Sequence, residues 1–214
     1  MLFRSPIGVP ATTINKMCGS GLKAVMMAAD QIRAGGASIV LAGGLESMSN
    51  APYLLPKART GYRMGDGQVI DHMMRDGLQS PFDGKAMGCF ADATASRYNF
   101  SRAQQDAFAG ESVRRAMQAL QAGEFDVEVT PITVKGRKGE TVIARDETPG
   151  TCDVSKIATM KPAFNKDGSV TAASSSSIAD GAAALVVMSA QAAAERGLKP
   201  LARILAQEIG RAHV

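Results

Sequence analysis

The segment at residues 13–22 constrains this chain more than any other, because it places a cysteine between a predicted strand and a predicted helix. It reads Thr-Ile-Asn-Lys-Met-Cys-Gly-Ser-Gly-Leu. The β-branched run at residues 11–15 predicts a short strand. Apolar residues then recur at helical spacing from Leu22 until Gly35, a residue type that ends helices. Cys18 is therefore expected at a strand-to-helix turn.

A cysteine in this position has a chemical advantage. The N–H groups and the positive dipole end of a helix stabilise a thiolate more than a thiol, and the thiolate is the nucleophile. Gly19, Ser20 and Gly21 are small, so an acyl group and its carrier could approach the sulfur of Cys18 closely. Most free cysteines are nevertheless inert small hydrophobes, so position alone leaves both interpretations open.

The predicted helix is apolar on nearly all of its faces. Ala24, Met27 and Ala28 lie opposite the stripe that includes Leu22 and Val25. A helix that is apolar all round is typical of the interior of a large domain. The pattern therefore predicts that this helix is buried and that its first turn is held rigidly.

The cysteine segment resembles a motif of a known family. Residues 14–24 are similar to the acyl-accepting cysteine motif of the thiolases, enzymes that make or cleave 3-oxoacyl-CoA. Residues 41–49 resemble the strand and glycine turn that follow the nucleophile helix in that family. Residues 161–164 and 170–184 also fall where thiolases have similar segments. The resemblance covers residues 9–206.

The resemblance implies an α/β fold, with an incomplete layered α-β-α core of the thiolase kind and an inserted α+β domain whose loops bind CoA. We expect residues 1–49 to form the first part of the core. Residues 50–168 are expected to form the inserted CoA-binding loop domain, and residues 169–206 return to the core.

Both ends of the chain depart from thiolase sequence. Back-translated, they resemble sequencing-adapter DNA, so we expect residues 1–5 and 207–214 to be artefacts rather than part of the fold. Thiolases also draw a histidine and a second cysteine from a C-terminal half that does not resemble any part of this sequence. Because each such acid or base contributes ~10²-fold or more, we expect this polypeptide alone to have no useful turnover. Unpartnered apolar faces are expected as well.

The resemblance assigns CoA contacts to three further residues. Ser176, in the serine turn at 174–177, aligns with a serine that contacts CoA. Met87 is expected to line the pantetheine channel, and Leu78 aligns with a residue near the adenine. By their own context these residues would be part of a solvated loop, a core methionine and a loop anchor. Where many thiolases have a CoA-contacting histidine this chain has Ala86, so that contact cannot form.

The implied reaction is a two-step Claisen exchange. The Cys18 thiolate attacks an acyl-CoA and CoA leaves; the acyl-enzyme then combines with the enolate of acetyl-CoA. CoA thioesters are thus the expected substrates, with no permanently bound cofactor or metal. We expect an acetyl-CoA C-acetyltransferase that acts on short chains and assembles as a homodimer or homotetramer. A ketoacyl synthase and a non-catalytic CoA-binding module remain alternatives.

The composition argues against several other classes of protein. Lys and Arg number 24 against 20 Asp and Glu, and the net charge of +4 is too small to indicate nucleic-acid binding. No apolar run is long enough to span a membrane. The cysteines at 18, 89 and 152 have neither a metal-binding spacing nor an even number, which favours the reducing cytoplasm. Cys89 and Cys152 are expected to be structural.

The sequence does not support the other functional interpretations that its residues suggest. A serine hydrolase built on Ser20 lacks the Gly-x-Ser-x-Gly elbow, and the glycines at 65 and 67 lack the third glycine of a dinucleotide fingerprint. His72 is most simply a residue on a helix surface.

Local patterns also predict the remaining elements. Ser101 and Gln104 form a capping-box pattern at the start of a helix that ends before Gly123. The other predicted helices lie at 69–75, 87–97 and 190–196, and the predicted strands lie at 38–42, 127–134, 141–144, 169–173 and 183–188, with a basic turn at 135–139.

Overall fold

The computed structural model describes residues 8–137 and 139–209. Residues 1–5 and 210–214, which fall in the segments expected to be artefacts, lie outside this description, as does Lys138. The described part of the second segment lies against the first helix, because the Gln207 side-chain amide donates to Asp30 Oδ1 at 2.9 Å.

The described residues form helices and strands that occur in groups along the chain. The elements are α1 (Ser20–Arg33), β1 (Ile39–Glu46), β2 (Tyr53–Leu54), β3 (Ile70–Asp71), α2 (Met87–Arg97), α3 (Arg102–Ala122), β4 (Ile132–Gly136), β5 (Gly139–Ile143), β6 (Gly181–Met188) and α4 (Ala190–Glu195). Short 3₁₀ turns lie at Met48–Asn50, Pro149–Thr151 and Val154–Thr159, and Met73–Leu78 is a π-helix.

The chain divides into two compact units. Of the described residues, 8–73 and 179–209 form the first unit, and those from Met74 to Ile178 form the second. The inserted CoA-binding domain was placed at 50–168, and this assignment stays a prediction. The β2–β3 pair falls within the first unit, where Tyr53 lies opposite Asp71.

In the first unit, β1 and β6 form an antiparallel pair. The register runs from Ile39 opposite Met188 to Glu46 opposite Gly181, and α1 packs against both strands. A strand was predicted only over 38–42, followed by a glycine turn. The prediction of a turn is wrong, because the strand continues through Gly43 and Gly44.

The glycines in β1 allow close packing. A Cβ on Gly44 would lie 2.7 Å from the Cα of Gly21 in α1, and a Cβ on Gly43 would lie 2.3 Å from the carbonyl oxygen of Ala183 in β6. These distances are shorter than a carbon contact permits, so only glycine lets the start of α1 rest on the strand.

The first unit leaves much of its apolar surface open. Ala42 in β1 and Ala28 in α1 are buried, whereas Leu41 is 72% exposed and Val186, opposite it in β6, is 61% exposed. In α1, Leu22 is 53% exposed. The predictions of a buried strand and an entirely buried helix are therefore wrong for this structure. The expectation of exposed apolar faces is met.

The second unit is built on α2 and α3, with a β4–β5 hairpin between α3 and the 3₁₀ turns. The capping box at Ser101 is confirmed, since its hydroxyl accepts from the N–H of Gln104 and the Gln104 side chain accepts from the N–H of Ser101. The predicted stop at Gly123 is also confirmed, with φ at +71°. The hairpin forms with shifted ends, and Lys135 pairs with Glu140 across it.

Three predicted elements differ. No strand forms at 11–15 or at 169–173, and the helix expected at 69–75 is replaced by β3 and the π-helix that follows it. At 169–170 the backbone N–H groups bond to a carboxylate rather than to a neighbouring strand. A β-branched run forms a strand only where a partner backbone accepts its hydrogen bonds. The helices at 87–97 and 190–196 and the strand at 183–188 are confirmed to within a residue or two.

Within the described ranges, no helix combines the length and apolar character needed to cross a bilayer.

Candidate functional site

Cys18 is exposed and lies directly before Gly19, the N-cap residue of α1. No side chain caps this helix, and its first turn contains no acidic residue. The first N–H groups of a helix have no partner within it. Those of Gly19 and Ser20 donate to the carbonyls of Lys16 and Met17, so a ligand or a thiolate would use the next ones, of Gly21 and Leu22. The predicted position of the cysteine at a helix start is confirmed.

The turn that presents Cys18 is held by two polar side chains. Met17 has φ at +50°, a left-handed conformation that is uncommon for a residue with a side chain. Its N–H donates to Asn15 Oδ1 at 2.8 Å. The Ser20 hydroxyl accepts from the N–H of Lys16 at 2.9 Å and donates to the carbonyl of Met17 at 2.8 Å.

Sequence reasoning missed this role of Ser20 and Asn15. In the sequence analysis Ser20 matters only for its small size. Serine and asparagine side chains commonly bond to the backbone of their own turn, so the residue types in this segment indicate the role. Because the Ser20 hydroxyl donates to a backbone carbonyl, it serves the turn. This engagement counts against a serine nucleophile at that position.

In the second unit, the structure brings Leu78 and Met87 together. Leu78 ends the π-helix and Met87 is the first residue of α2. Between them, Gln79 and Ala86 form an isolated antiparallel bridge, and the N–H of Ser80 donates to the carbonyl of Lys85 at 2.9 Å. Leu78 and Met87 are both half-buried and flank this bridge.

Ser176 is exposed and follows a turn tied to Thr171, which is fully buried. The N–H of Thr171 donates to the Ser174 hydroxyl at 2.9 Å, and the Ser175 hydroxyl donates to the carbonyl of Thr171 at 2.7 Å. The serine run is thus a hydrogen-bonded turn, and it leaves Ser176 accessible.

A buried carboxylate on α2 holds the chain that leads into this turn. Asp92 is 9% exposed and accepts three hydrogen bonds of 2.8 Å, from the N–H groups of Ser169 and Val170 and from the side-chain amide of Asn165. Burial by itself would raise the pKa of Asp92, but these donors outweigh it and the pKa is lowered. Asp92 therefore stays ionised at neutral pH.

Cys18 belongs to the first unit, whereas Leu78, Met87 and Ser176 belong to the second. Among residues 8–137 and 139–209 no group of three or more His, Cys, Asp or Glu is arranged to hold a metal ion. His72 is half-buried, and its backbone N–H donates to the carbonyl of Pro52 at 3.2 Å.

The sequence profile of the family described as "Thiolase, N-terminal domain" matches residues 3–191. The chain belongs to the thiolase family. The match includes the cysteine segment and all three residues for which CoA contacts are predicted. The predicted family is therefore confirmed, and the individual site roles stay predictions.

The chain is similar to acetyl-CoA acetyltransferases of two bacteria. An acetyl-CoA acetyltransferase of Pseudomonas aeruginosa is 51% identical over 202 residues, 93% of this chain and 51% of that protein. An acetyl-CoA acetyltransferase of Escherichia coli is 49% identical over 194 residues, 90% of this chain and 49% of that protein. The thiolase chain thus spans about half the length of the curated relatives it matches.

A solved structure confirms the α/β thiolase fold. The acetyl-CoA acetyltransferase from Syntrophomonas wolfei superimposes with a TM-score of 0.79 at 45% identity, over 86% of this chain and 46% of that one. The fold class predicted for this thiolase from its sequence is therefore correct.

Proposed function

We propose that this chain is the cysteine-bearing part of an acyl-CoA acyltransferase, an acetyl-CoA C-acetyltransferase that forms or cleaves 3-oxoacyl-CoA. The observation that carries the proposal is the exposed Cys18 beside the uncapped start of α1. The names of the relatives support the same activity.

In the first step, the Cys18 thiolate attacks the carbonyl carbon of acetyl-CoA. A new carbon–sulfur bond forms to Cys18, the bond to the CoA sulfur breaks, and CoA leaves as a thiolate that takes up a proton. The N–H groups of the first turn of α1 support both the attacking thiolate and the negative charge on the thioester oxygen.

In the second step, the acetyl group passes to the enolate of another acetyl-CoA, and the Cys18 thiolate is regenerated. The resemblance implies that the proton transfers in this step use a histidine and a second cysteine from the other half of the family's length. We therefore propose that turnover requires that half as well as the residues described above.

CoA binding is proposed for the second unit. Ser176 would donate to or accept from the pantetheine amides, which need hydrogen bonds rather than charge. The half-buried Met87 and Leu78 would line the apolar walls for pantetheine and adenine. Support comes from their accessibility and from the bridge that holds Leu78 and Met87 close together.

Location and assembly are proposals too. The three cysteines are free, and an exposed nucleophilic thiol is best preserved in a reducing compartment, so we propose the cytoplasm. We propose that the full-length protein is a homodimer or homotetramer, in line with the family resemblance, and that it binds CoA and acyl-CoA.

Mass spectrometry of the protein expressed from its complete coding sequence tests the proposal. After exposure to acetyl-CoA we expect one acetyl group on the wild type and on Cys152→Ser, and none on Cys18→Ser. Thiolysis of acetoacetyl-CoA should follow the same pattern. An adduct without thiolysis would favour a ketoacyl synthase, and CoA binding without an adduct at any pH would favour a non-catalytic module.

A further inference from the structure

The carboxylate of Asp92 connects two of the residues proposed to bind pantetheine. Asp92 and Met87 are on the same short helix, α2, with Met87 at its first position. Through its hydrogen bonds to Ser169 and Val170, Asp92 also fixes the chain that continues into the serine turn and Ser176.

The connection from Asp92 to the turn is continuous. Val170 is 6% exposed and bonded to Asp92, and Thr171, which follows it, is fully buried. Thr171 in turn accepts from the Ser175 hydroxyl and donates its N–H to Ser174. Val170, Thr171, Ser174 and Ser175 each take part in this chain of hydrogen bonds, and Ser176 follows directly. A shift at Asp92 is therefore expected to reach Ser176.

Close packing leaves little room for an alternative arrangement. A Cβ on Gly168 would lie 2.3 Å from Asp92 Oδ2, so the loop backbone rests directly on the carboxylate. Gln105 of α3 donates to the Ser169 hydroxyl at 2.9 Å from the other side. The loop is therefore clamped between α2 and α3, and Asp92 supplies three of its hydrogen bonds.

We propose that Asp92 is a positioning residue for CoA thioesters, whose carboxylate sets where Ser176 lies relative to Met87. This inference rests on the proposed function. Asp92 does not touch the substrate itself; it acts through the 165–171 segment, and its loss should weaken substrate binding more than it slows the chemistry at Cys18.

Asp92→Asn in the complete protein tests this inference. The new amide can still accept from Ser169 and Val170, but its NH₂ group would face the NH₂ group of Asn165. We expect KM for acetyl-CoA to rise about tenfold, because the bond from Asn165 is lost and the bonds from Ser169 and Val170 go to a neutral acceptor, while kcat changes less than about twofold. Alkylation of Cys18 by iodoacetamide should proceed at the wild-type rate.

Two further variants complete the design. Asp153→Asn removes an exposed carboxylate that bonds only to Ser155 and Lys156, so it changes the charge equally and should leave KM unchanged. Asn165→Ala removes one of the three donors and should raise KM about two- to threefold. It remains informative if Asp92→Asn does not fold.

Three outcomes decide the matter. A raised KM in Asp92→Asn and Asn165→Ala, with normal alkylation of Cys18, supports the inference. A lower melting temperature with unchanged KM in both variants overturns it and leaves Asp92 a purely structural residue. A wild type that neither takes up acetyl groups nor cleaves acetoacetyl-CoA refutes the proposed function itself, and the inference with it.

Discussion

The starts of helices α1 and α3 differ in how they satisfy their backbone. At α3, the Ser101 hydroxyl accepts from the N–H of Gln104 and the Gln104 side chain accepts from the N–H of Ser101, so side chains cap this end. At α1, no side chain caps the first turn, the residue before Cys18 is in a left-handed conformation, and a glycine packs on the backbone of β1.

The start of α3 is stabilised by its own side chains, whereas the start of α1 has no side-chain cap and can bind a ligand. A capping box adds stability and satisfies two backbone N–H groups with side chains of the same helix end. An uncapped end beside a residue with unusual φ costs stability, and such features cluster at functional sites. The α1 start is therefore where a substrate oxygen could be bound, and four experiments can break or sharpen this contrast.

The largest effect is expected from Gly44→Ala. The added methyl group would lie 2.7 Å from the Cα of Gly21, so α1 must move away from the strand. We expect a loss of about 2–3 kcal/mol in the free energy of unfolding, measured by urea denaturation. Gly181→Ala, in the paired strand β6, has nothing within 4 Å and should change stability by less than about 0.5 kcal/mol. Equal effects would show that α1 does not depend on this contact.

Ser20→Ala should separate activity from stability at the α1 start. It removes the acceptor for Lys16 and the donor to Met17, so the turn that presents Cys18 loosens. We expect acetylation of Cys18 to slow by about 10–100-fold, since misplaced reacting groups lose much of their rate, whereas stability falls by only about 1 kcal/mol. Stopped-flow release of CoA measures the rate. Normal acetylation would mean that the turn does not position the sulfur.

Ser101→Ala should have the opposite profile. Losing the cap of α3 should cost about 1 kcal/mol of unfolding free energy, and the rate of Cys18 acetylation should not change. Thermal denaturation and the same acetylation assay provide both values. A slower acetylation after this substitution would contradict the separation of stability and chemistry between the two helix starts.

The smallest effect is expected in isolated peptides of the two helices, in the pH dependence of their helicity. In α3, Arg114 and then Arg115 lower the pKa of Glu111 from 4.5 to about 2. Because the helical state has the lower pKa, this stabilisation is complete above about pH 4.5 and disappears as the pH falls to 2. Circular dichroism of peptide 100–124 should show helicity declining in that window, with a weaker decline for Glu111→Gln.

The peptide of residues 16–36 provides the comparison. It has no side-chain cap and should have low helicity at every pH, since short helices without tertiary packing are marginal in water. Helicity equal to that of peptide 100–124 would show that α1 does not owe its formation to packing on β1.

Signals that act within a few residues were read correctly from the sequence. The capping box at Ser101, the stop at Gly123 and the cysteine at the start of α1 all depend on neighbours in the chain, and the family resemblance followed from several short segments, each readable by itself. The hydroxyl of Ser20 was within reach of the same kind of reasoning, because the turn it closes spans only residues 16–20.

What the sequence could not supply were contacts between distant segments. Gly43 and Gly44 were expected to form a turn, yet they lie within a strand, because their use depends on Ala183 and Gly21 approaching from elsewhere in the chain. The run at 169–173 has strand composition, but Asp92 takes its N–H groups, so no strand forms there.

The sequence by itself therefore determined the family, the helix ends and the position of the candidate nucleophile, because these depend on local hydrogen-bonding chemistry and on short sequence motifs. Only the tertiary structure decided that Gly44 seats α1 and that Asp92 holds the serine turn. It alone also decided that Leu41 and Val186 stay exposed. Each of these facts depends on contacts with segments that are distant in the sequence, and a short sequence pattern does not specify which segments those are.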